Sequence, residues 1–242
     1  LISVIIPAYN EEKLISRTLA QFTPNLIEKF DLELIVSDGG SDDRTLEKAA
    51  EYSCRIVRHT EQRKQTIAEG RNVGAEVARG DILFFLNADT IIDDHDVEGF
   101  ITQALRELEP ENVVAVTCSV YIYPDEATRT DRIIHELYNW YFFSLNVIGM
   151  GMGRGECQII KKDAFKKVGG NQKHIVAGED FDLFTRLIRI GKVRYLRSLR
   201  VYESPRRYRK YGYIRVTAAW LRNSASVYLF NHSTLNEWEA VR

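Results

Sequence analysis

Asp81-Ile82-Leu83-Phe84-Phe85-Leu86-Asn87-Ala88-Asp89-Thr90 carries five large apolar residues into a short polar turn. A run this short, introduced by Arg79-Gly80 and closed by small and polar residues, reads as a strand covered on both faces by helices. Open α/β sheets bind ligands beyond the carboxyl ends of such strands. Asp89 therefore stands where a carboxylate can anchor a divalent cation, and the cation a phosphate group. A plain turn residue is the rival reading of the same position.

Upstream, Ile2 to Pro7 is a β-branched run, with Pro7 marking its end because proline cannot donate to a central ladder. The loop Ala8-Tyr9-Asn10-Glu11-Glu12 follows, then a helix with Leu14, Ile15, Thr18, Leu19 and Phe22 on one face. Leu32 to Val36 is a second strand that leads into Ser37-Asp38-Gly39-Gly40-Ser41-Asp42-Asp43. The glycines permit a tight turn, and Ser41 can cap a helix with an acidic first turn. Arg55 to Arg58 is a third strand, followed by the basic loop Gln62-Arg63-Lys64-Gln65 and a helix through Ala68, Val73, Ala75 and Ala78. Gly80 suits a left-handed position at that helix's end. Strands alternating with helices predict a parallel sheet with right-handed crossovers, and all the polar turns at one edge.

Downstream, the pattern predicts a helix over Val97–Leu108, a strand over Val113–Tyr123 and an aromatic helix over 132–148 containing Trp140, Tyr141, Phe142 and Phe143. A buried core helix is the commonest reading of such residues; a sugar platform, a membrane-facing surface and a subunit interface share the composition. The glycine-rich turn 149–155 lets backbone approach a ligand or move as a lid. A strand over Cys157–Ile160, a short helix Lys162–Val168 stopped by Gly169-Gly170, and a helix opened by Gly178-Glu179-Asp180 follow. Val193–Leu196 and Val201-Tyr202 read as edge strands, Arg206-Arg207-Tyr208-Arg209-Lys210 as a basic loop, and Tyr213–Phe230 as a helix.

The 242 residues suffice for a full core in one compact unit. Thirty-three basic against 34 acidic residues leave no global field to draw the chain onto nucleic acid or an anionic membrane, so any such contact is local. Cys54, Cys118 and Cys157 lie far apart in sequence, against a zinc site or a disulfide framework and in keeping with reduced thiols. The chain opens on a strand-like segment and no apolar run approaches the roughly 18 residues that span a bilayer. A cytoplasmic placement is expected, with peripheral contact at the inner membrane face left open.

Three separated patterns, Val4-Ile5-Ile6-Pro7-Ala8-Tyr9-Asn10-Glu11-Glu12, Ile35-Val36-Ser37-Asp38-Gly39-Gly40-Ser41-Asp42-Asp43 and Phe85-Leu86-Asn87-Ala88-Asp89-Thr90, resemble in order and spacing the start of the family 2 glycosyltransferases, an inverting group with the GT-A fold. Gly178-Glu179-Asp180 followed by Leu183, Arg186, Leu187 and Gly191 is similar to that family's acidic catalytic turn. The resemblance covers most of residues 2 to 197. Gly155-Glu156-Cys157-Gln158 and Ser204-Pro205-Arg206-Arg207-Tyr208 look closest to a bacterial and archaeal subgroup.

The resemblance implies a GT-A-like, Rossmann-related mixed α/β sheet, mostly parallel in its N-terminal half. Residues 1–95 would bind a nucleotide-sugar donor such as a UDP- or GDP-sugar, 96–205 would serve a hydroxyl acceptor, and 206–242 would form a basic loop and C-terminal helix. Asp180 would be the general base with Glu179 beside it. Asp89 would hold Mg²⁺ or Mn²⁺, although Asn87-Ala88-Asp89 departs from the family's Asp-x-Asp and loses a formal charge. Pro7, Ala8, Tyr9, Glu11, Asp38, Arg71, Asn87 and Ala88 would line the nucleotide-sugar pocket, with Asn87 also offering the cation a neutral oxygen. Gln158 would face sugar or acceptor, and Arg206 and Arg207 would grip the diphosphate. A sugar-nucleotide nucleotidyltransferase and a non-catalytic nucleotide-sugar-binding domain are the alternatives; the first would more naturally open with a glycine-rich basic loop where this chain has Pro7-Ala8-Tyr9-Asn10.

Overall fold

Phe84 and Phe85 point to opposite faces of their strand, as successive strand residues must, and each meets a phenylalanine from a different covering helix. Phe84 stacks on Phe100 with ring centroids 6.2 Å apart, and Phe85 packs on Phe165 at 5.3 Å. Burying each such ring contributes about 1.5–3 kcal/mol. Around this strand a computed structural model describes residues 1–93, 96–235 and 241.

In chain order the elements are β1 (Ile2–Ala8), α1 (Ile15–Ala20), α2 (Pro24–Phe30), β2 (Leu32–Asp38), α3 (Thr45–Ala49), β3 (Cys54–Arg58), α4 (Ile67–Val77), β4 (Ile82–Leu86), β5 (Thr90–Ile92), α5 (Val97–Leu108), β6 (Val113–Ile122), α6 (Arg129–Val147), β7 (Cys157–Lys161), α7 (Lys162–Lys167), α8 (Glu179–Leu187), β8 (Lys192–Glu203), α9 (Arg206–Tyr211) and α10 (Tyr213–Phe230). The strands form one sheet in the order β3-β2-β1-β4-β7-β6-β8-β5. The first four pair in parallel. β7 runs antiparallel to both β4 and β6, β6 and β8 are parallel, and β5 closes the far edge antiparallel to β8. The sheet is thus mixed, with the parallel N-terminal half that the alternating pattern predicts.

Several local expectations are corrected. Pro7 does not end β1, which continues to Ala8. The β1–β4 ladder has already stopped at Ile5 and Phe85, so the missing N–H falls where β1 has a neighbour on one side only. Ser41 caps no helix: its hydroxyl accepts the Asn10 N–H, and α3 starts four residues later. The helix expected through Phe22 stops at Ala20 as α1, and a second helix the sequence reading did not include, α2, starts at Thr23-Pro24, a capping residue followed by proline at the first helical position. The two edge strands are one strand, β8, which lies inside the sheet between β6 and β5 and whose pairing with β6 shifts register at Val113/Ala115 and at Cys118/Ser119. The basic loop is the short helix α9.

Gly80 is also corrected, since it has no left-handed backbone. Its constraint is space: a Cβ there would lie 2.7 Å from the Leu1 carbonyl oxygen and 2.8 Å from the Ser3 nitrogen. Gly80→Ala is accordingly expected to destabilise the fold by about 1–3 kcal/mol despite alanine's lower backbone entropy cost. Chemical denaturation checks this, and an unchanged midpoint would refute the close approach.

The chain leaves β4 in the middle of the sheet and re-enters at β5 on the far edge. The turn between them carries Asn87 to Asp89 and is tied along its length. The Thr18 hydroxyl donates to the Ala88 carbonyl at 2.8 Å, the Tyr123 hydroxyl to the Asp89 carbonyl at 2.5 Å, and the Thr90 N–H to the Asn87 carbonyl at 3.0 Å.

Candidate active site

The turns after β1, β2 and β4 open into a cavity of about 1120 Å³ at the carboxyl ends of those strands. Pro7, Ala8, Tyr9 and Glu11 form one wall, and Asn87, Ala88 and Asp89 another. The loop 150–156, the start of α8, α9 and the face of α10 complete it. Three distant stretches thus meet at one sheet edge, as the strand-end rule requires.

Arg206 lies between two carboxylates in this cavity. Its guanidinium grips Glu11 through two hydrogen bonds of 2.8 and 2.6 Å and reaches Asp89 Oδ2 at 3.0 Å. Burial works against the charge of Arg206, and Glu11 and Asp89 more than offset it, holding the guanidinium above its ordinary pKa. Glu11 is fixed from behind, its N–H donating to the Thr45 hydroxyl at 2.7 Å. Asp89 and Asn87 are hard oxygen donors of the kind Mg²⁺ and Mn²⁺ take, and Mg²⁺ is commonly held by one or two carboxylates plus substrate phosphates. The residues fit a cation of that type once Arg206 yields Asp89. Among the described residues no cluster of three or more carboxylate, histidine or cysteine ligands forms a closed metal cage.

The opposite wall is built on Arg71, which is only 1% exposed. One nitrogen donates to Glu179 Oε1 at 2.6 Å; the other donates to the Gly155 carbonyl at 2.8 Å and to Asn87 Oδ1 at 3.2 Å. A solvated helix face is thereby excluded for this arginine. Asp180 opens α8 beside it, accepting the Gly155 N–H at 3.0 Å and its neighbour Phe181 N–H at 2.8 Å. Burial, and next the adjacent Glu179 charge, raise the Asp180 carboxyl to about 7, against the opposing pull of Arg71. Glu179 is engaged by Arg71, whereas Asp180 faces the cavity with its pKa near neutrality.

The remaining candidates divide. Tyr9 borders the cavity with the Lys64 ammonium 5.0 Å from its ring centre, and Arg207 lines it beside Arg206. Asp38 is fully buried and turned back on its own loop, accepting the Gly40 and Ser41 N–H groups at 3.1 and 3.2 Å, between Ser37 and Gly39, which line the cavity. Gln158 is fully buried in β7 between β4 and β6, outside the residues that line the cavity. Arg209 leaves the cavity to pair with Asp131 at the start of α6. His135 is a core residue, its Nδ1 3.1 Å from the Val120 carbonyl and burial pushing it down to about 4.

The sequence reading missed a second charged cluster. Arg154, 3% exposed, contacts both Glu156 oxygens at 3.2 Å and Glu203 at 2.8 Å, and its guanidinium lies 5.5 and 5.8 Å from the ring centres of Phe142 and Trp220. Burial would raise the Glu156 carboxyl, yet Arg154 holds it below its ordinary range. Glu203, buried and beside Glu156, is pushed up to about 8 and accepts the Tyr208 hydroxyl at 3.0 Å. Cys118 and Cys157, distant in sequence, are likewise neighbours across β6 and β7, both thiols free.

This architecture is the GT-A glycosyltransferase fold. A mannosyltransferase from Pyrobaculum calidifontis, solved with GDP-Man and Mn²⁺, superimposes with a TM-score of 0.67 at 20% identity over 91% of this chain and 64% of that one. Glucosyl-3-phosphoglycerate synthase from Mycobacterium tuberculosis, solved with Mn²⁺, UDP and phosphoglyceric acid, gives 0.62 at 18% identity over 94% and 77%. Residues 3–169 match the model of Glycosyl transferase family 2, and the chain belongs to that family. It is similar to chondroitin synthase of Escherichia coli (25% identical, 82% of this chain, 28% of the relative) and to an uncharacterized glycosyltransferase of Haemophilus influenzae (27% identical, 78% and 62%). The chain thus spans less than two thirds of the length of these two relatives.

Proposed function

We propose that the chain transfers a sugar from a nucleoside diphosphate to an acceptor hydroxyl with inversion at the anomeric carbon, Asp180 acting as the general base. The observation that carries this reading is a carboxylate whose pKa lies near 7, facing the same cavity as Asp89. A base poised near the working pH has the best compromise of ionised fraction and proton affinity. The fold's neighbours solved with GDP-Man and with UDP-GlcNAc support a nucleotide-sugar donor.

In this reading Tyr9 packs on the base or ribose, and the backbone of Pro7 and Ala8 shapes the pocket floor. The acceptor hydroxyl passes its proton to an Asp180 oxygen as its own oxygen bonds to the anomeric carbon. The bond from that carbon to the diphosphate oxygen breaks on the opposite face, and the electron pair leaves with the diphosphate. Each Asp180 oxygen already accepts one backbone N–H and keeps a further lone pair for the proton. Arg206 and Arg207 stabilise the departing negative charge from α9. Asp89 and Asn87 would hold a Mg²⁺ or Mn²⁺, whose charge would further neutralise the diphosphate. Arg71 positions the base by holding Glu179 and the Gly155 carbonyl.

Calorimetric titration with UDP, GDP, dTDP and CDP, each with and without Mn²⁺, tests the donor site. One nucleotide is expected to bind in a metal-dependent way, and Asp89→Ala to weaken it at least about tenfold, or about 1.4 kcal/mol. Failure of all four to bind would overturn the reading.

A further inference from the structure

Twelve large apolar side chains exposed to solvent lie together on α6, the loop behind it and α10; among the described residues Leu1 is the other one so exposed. Ile133, Leu137, Trp140, Tyr141, Val147, Ile148 and Met150 come from the first two, and Ile214, Leu221, Tyr228, Leu229 and Phe230 from α10. The two helices touch through Tyr138, whose ring is 5.7 Å from Trp220 and 6.4 Å from Tyr213. Soluble monomers rarely leave so continuous an apolar surface uncovered.

This surface is continuous with the active-site cavity. Leu137, Tyr141 and Met150 on one side, and Leu221 and Tyr228 on the other, are both exposed on the face and part of the cavity lining. The mouth of the site is therefore apolar where the face meets it. On the α10 side its border is of one sign, and on α6 the partly exposed Glu136 is paired with Arg197 at 2.6 Å. From Ser204 to Asn236 the sequence has six arginines and lysines and no aspartate or glutamate, although the chain as a whole is balanced. Arg132 on α6, and Arg215 and Arg222 on α10, are exposed on the two helices that carry the apolar residues. No described helix is long and apolar enough to cross a membrane. Apolar residues interleaved with arginine and free of acidic residues, as in α10, are the composition of a helix that lies on a lipid surface.

Resting on the glycosyl-transfer reading above, we propose that the α6–α10 face docks on an anionic lipid bilayer, and that the acceptor is an amphiphile entering from that bilayer with its hydrocarbon chain against the apolar mouth of the cavity. A second copy of the chain fits this face less well. A two-fold dimer sets the same patch against itself, which would bring Arg215 and Arg222 of both copies together and close the cavity's apolar mouth.

The test uses the full chain and vesicles of phosphatidylcholine, alone or with an equal part of phosphatidylglycerol. Flotation is expected to carry the protein with the mixed vesicles and not the neutral ones. Ile214→Glu combined with Leu229→Glu, neither residue lining the cavity, is expected to cut vesicle binding at least tenfold while nucleotide titration stays as in the parent chain. Arg215→Glu with Arg222→Glu is expected to do the same. Decyl maltoside below its micelle threshold is expected to quench tryptophan emission where maltose does not, with Leu221→Glu abolishing the change. No flotation with mixed vesicles, equal flotation of the variants, or an equal response to maltose overturns the proposal. So does a dimer by light scattering that Ile214→Glu dissolves. Loss of nucleotide binding with flotation intact would instead refute the donor-site reading alone, so the two failures are separable.

Discussion

Asp180→Asn is expected to lower turnover by about 10²- to 10⁴-fold while nucleotide affinity stays within a factor of about two. The amide keeps the side chain's shape and can still accept through its oxygen, but it has no proton affinity to offer an attacking hydroxyl. The pH dependence sets this apart from a structural effect. A base works in its ionised form, and burial with the Glu179 charge holds the Asp180 proton up to about 7. In the parent enzyme kcat/KM should therefore rise with pH, pass its midpoint near that value and level off above it. The residual activity of Asp180→Asn should lose this limb. A pH–rate profile of both proteins decides the matter, and the same rising limb in the variant would remove Asp180 from the role.

Arg154→Met should produce the largest loss of stability, about 3–5 kcal/mol. The methionine fills much of the space between Phe142 and Trp220 but strands Glu156 and Glu203, whose side chains are only 14% and 12% exposed, without their cation. The two carboxyls then hold protons more tightly in the folded state than in the unfolded one. By linkage, the folded variant gains at low pH and loses as pH rises through the raised pKa of the pair. Glu203 already sits near 8 with Arg154 present, so the deficit should be greater at about pH 8 than at about pH 5. Urea denaturation at the two pH values checks it, and a deficit independent of pH would contradict the assignment.

Sequence legibility followed the physics of each element. β4 could be read because its apolar run is buried on both faces, and α5 because its buried residues Phe100, Ile101, Ala104 and Leu108 recur at helical spacing. β8 could not: Arg194, Arg197, Ser198 and Arg200 interrupt it, and an interior strand with one wet face looks like two edge fragments. The aromatic helix was read foremost as core, whereas α6 is divided, with Phe142 buried and Trp140 and Tyr141 exposed. No local pattern tells which side of such a helix is covered. Asp38 and Asp89 both follow strands in short polar turns, and only the fold reveals that one carboxylate curls onto its own backbone while the other meets Arg206. The Arg154–Glu156–Glu203 cluster was invisible for a different reason. Its arginine and far glutamate are 49 positions apart, and β8 had been split before the glutamate was reached.

Arg206 gives the resting cleft a counter-ion of its own. In the proposed reaction Asp89 would exchange this guanidinium for a divalent cation instead of presenting a bare anionic hole, and Arg206, still paired with Glu11, would lie beside the phosphates. Filling the site would then be an ion exchange. Glu11 and Asp89 share one guanidinium and so do not confront one another unscreened, and in the proposed reaction the same charge would serve the leaving group.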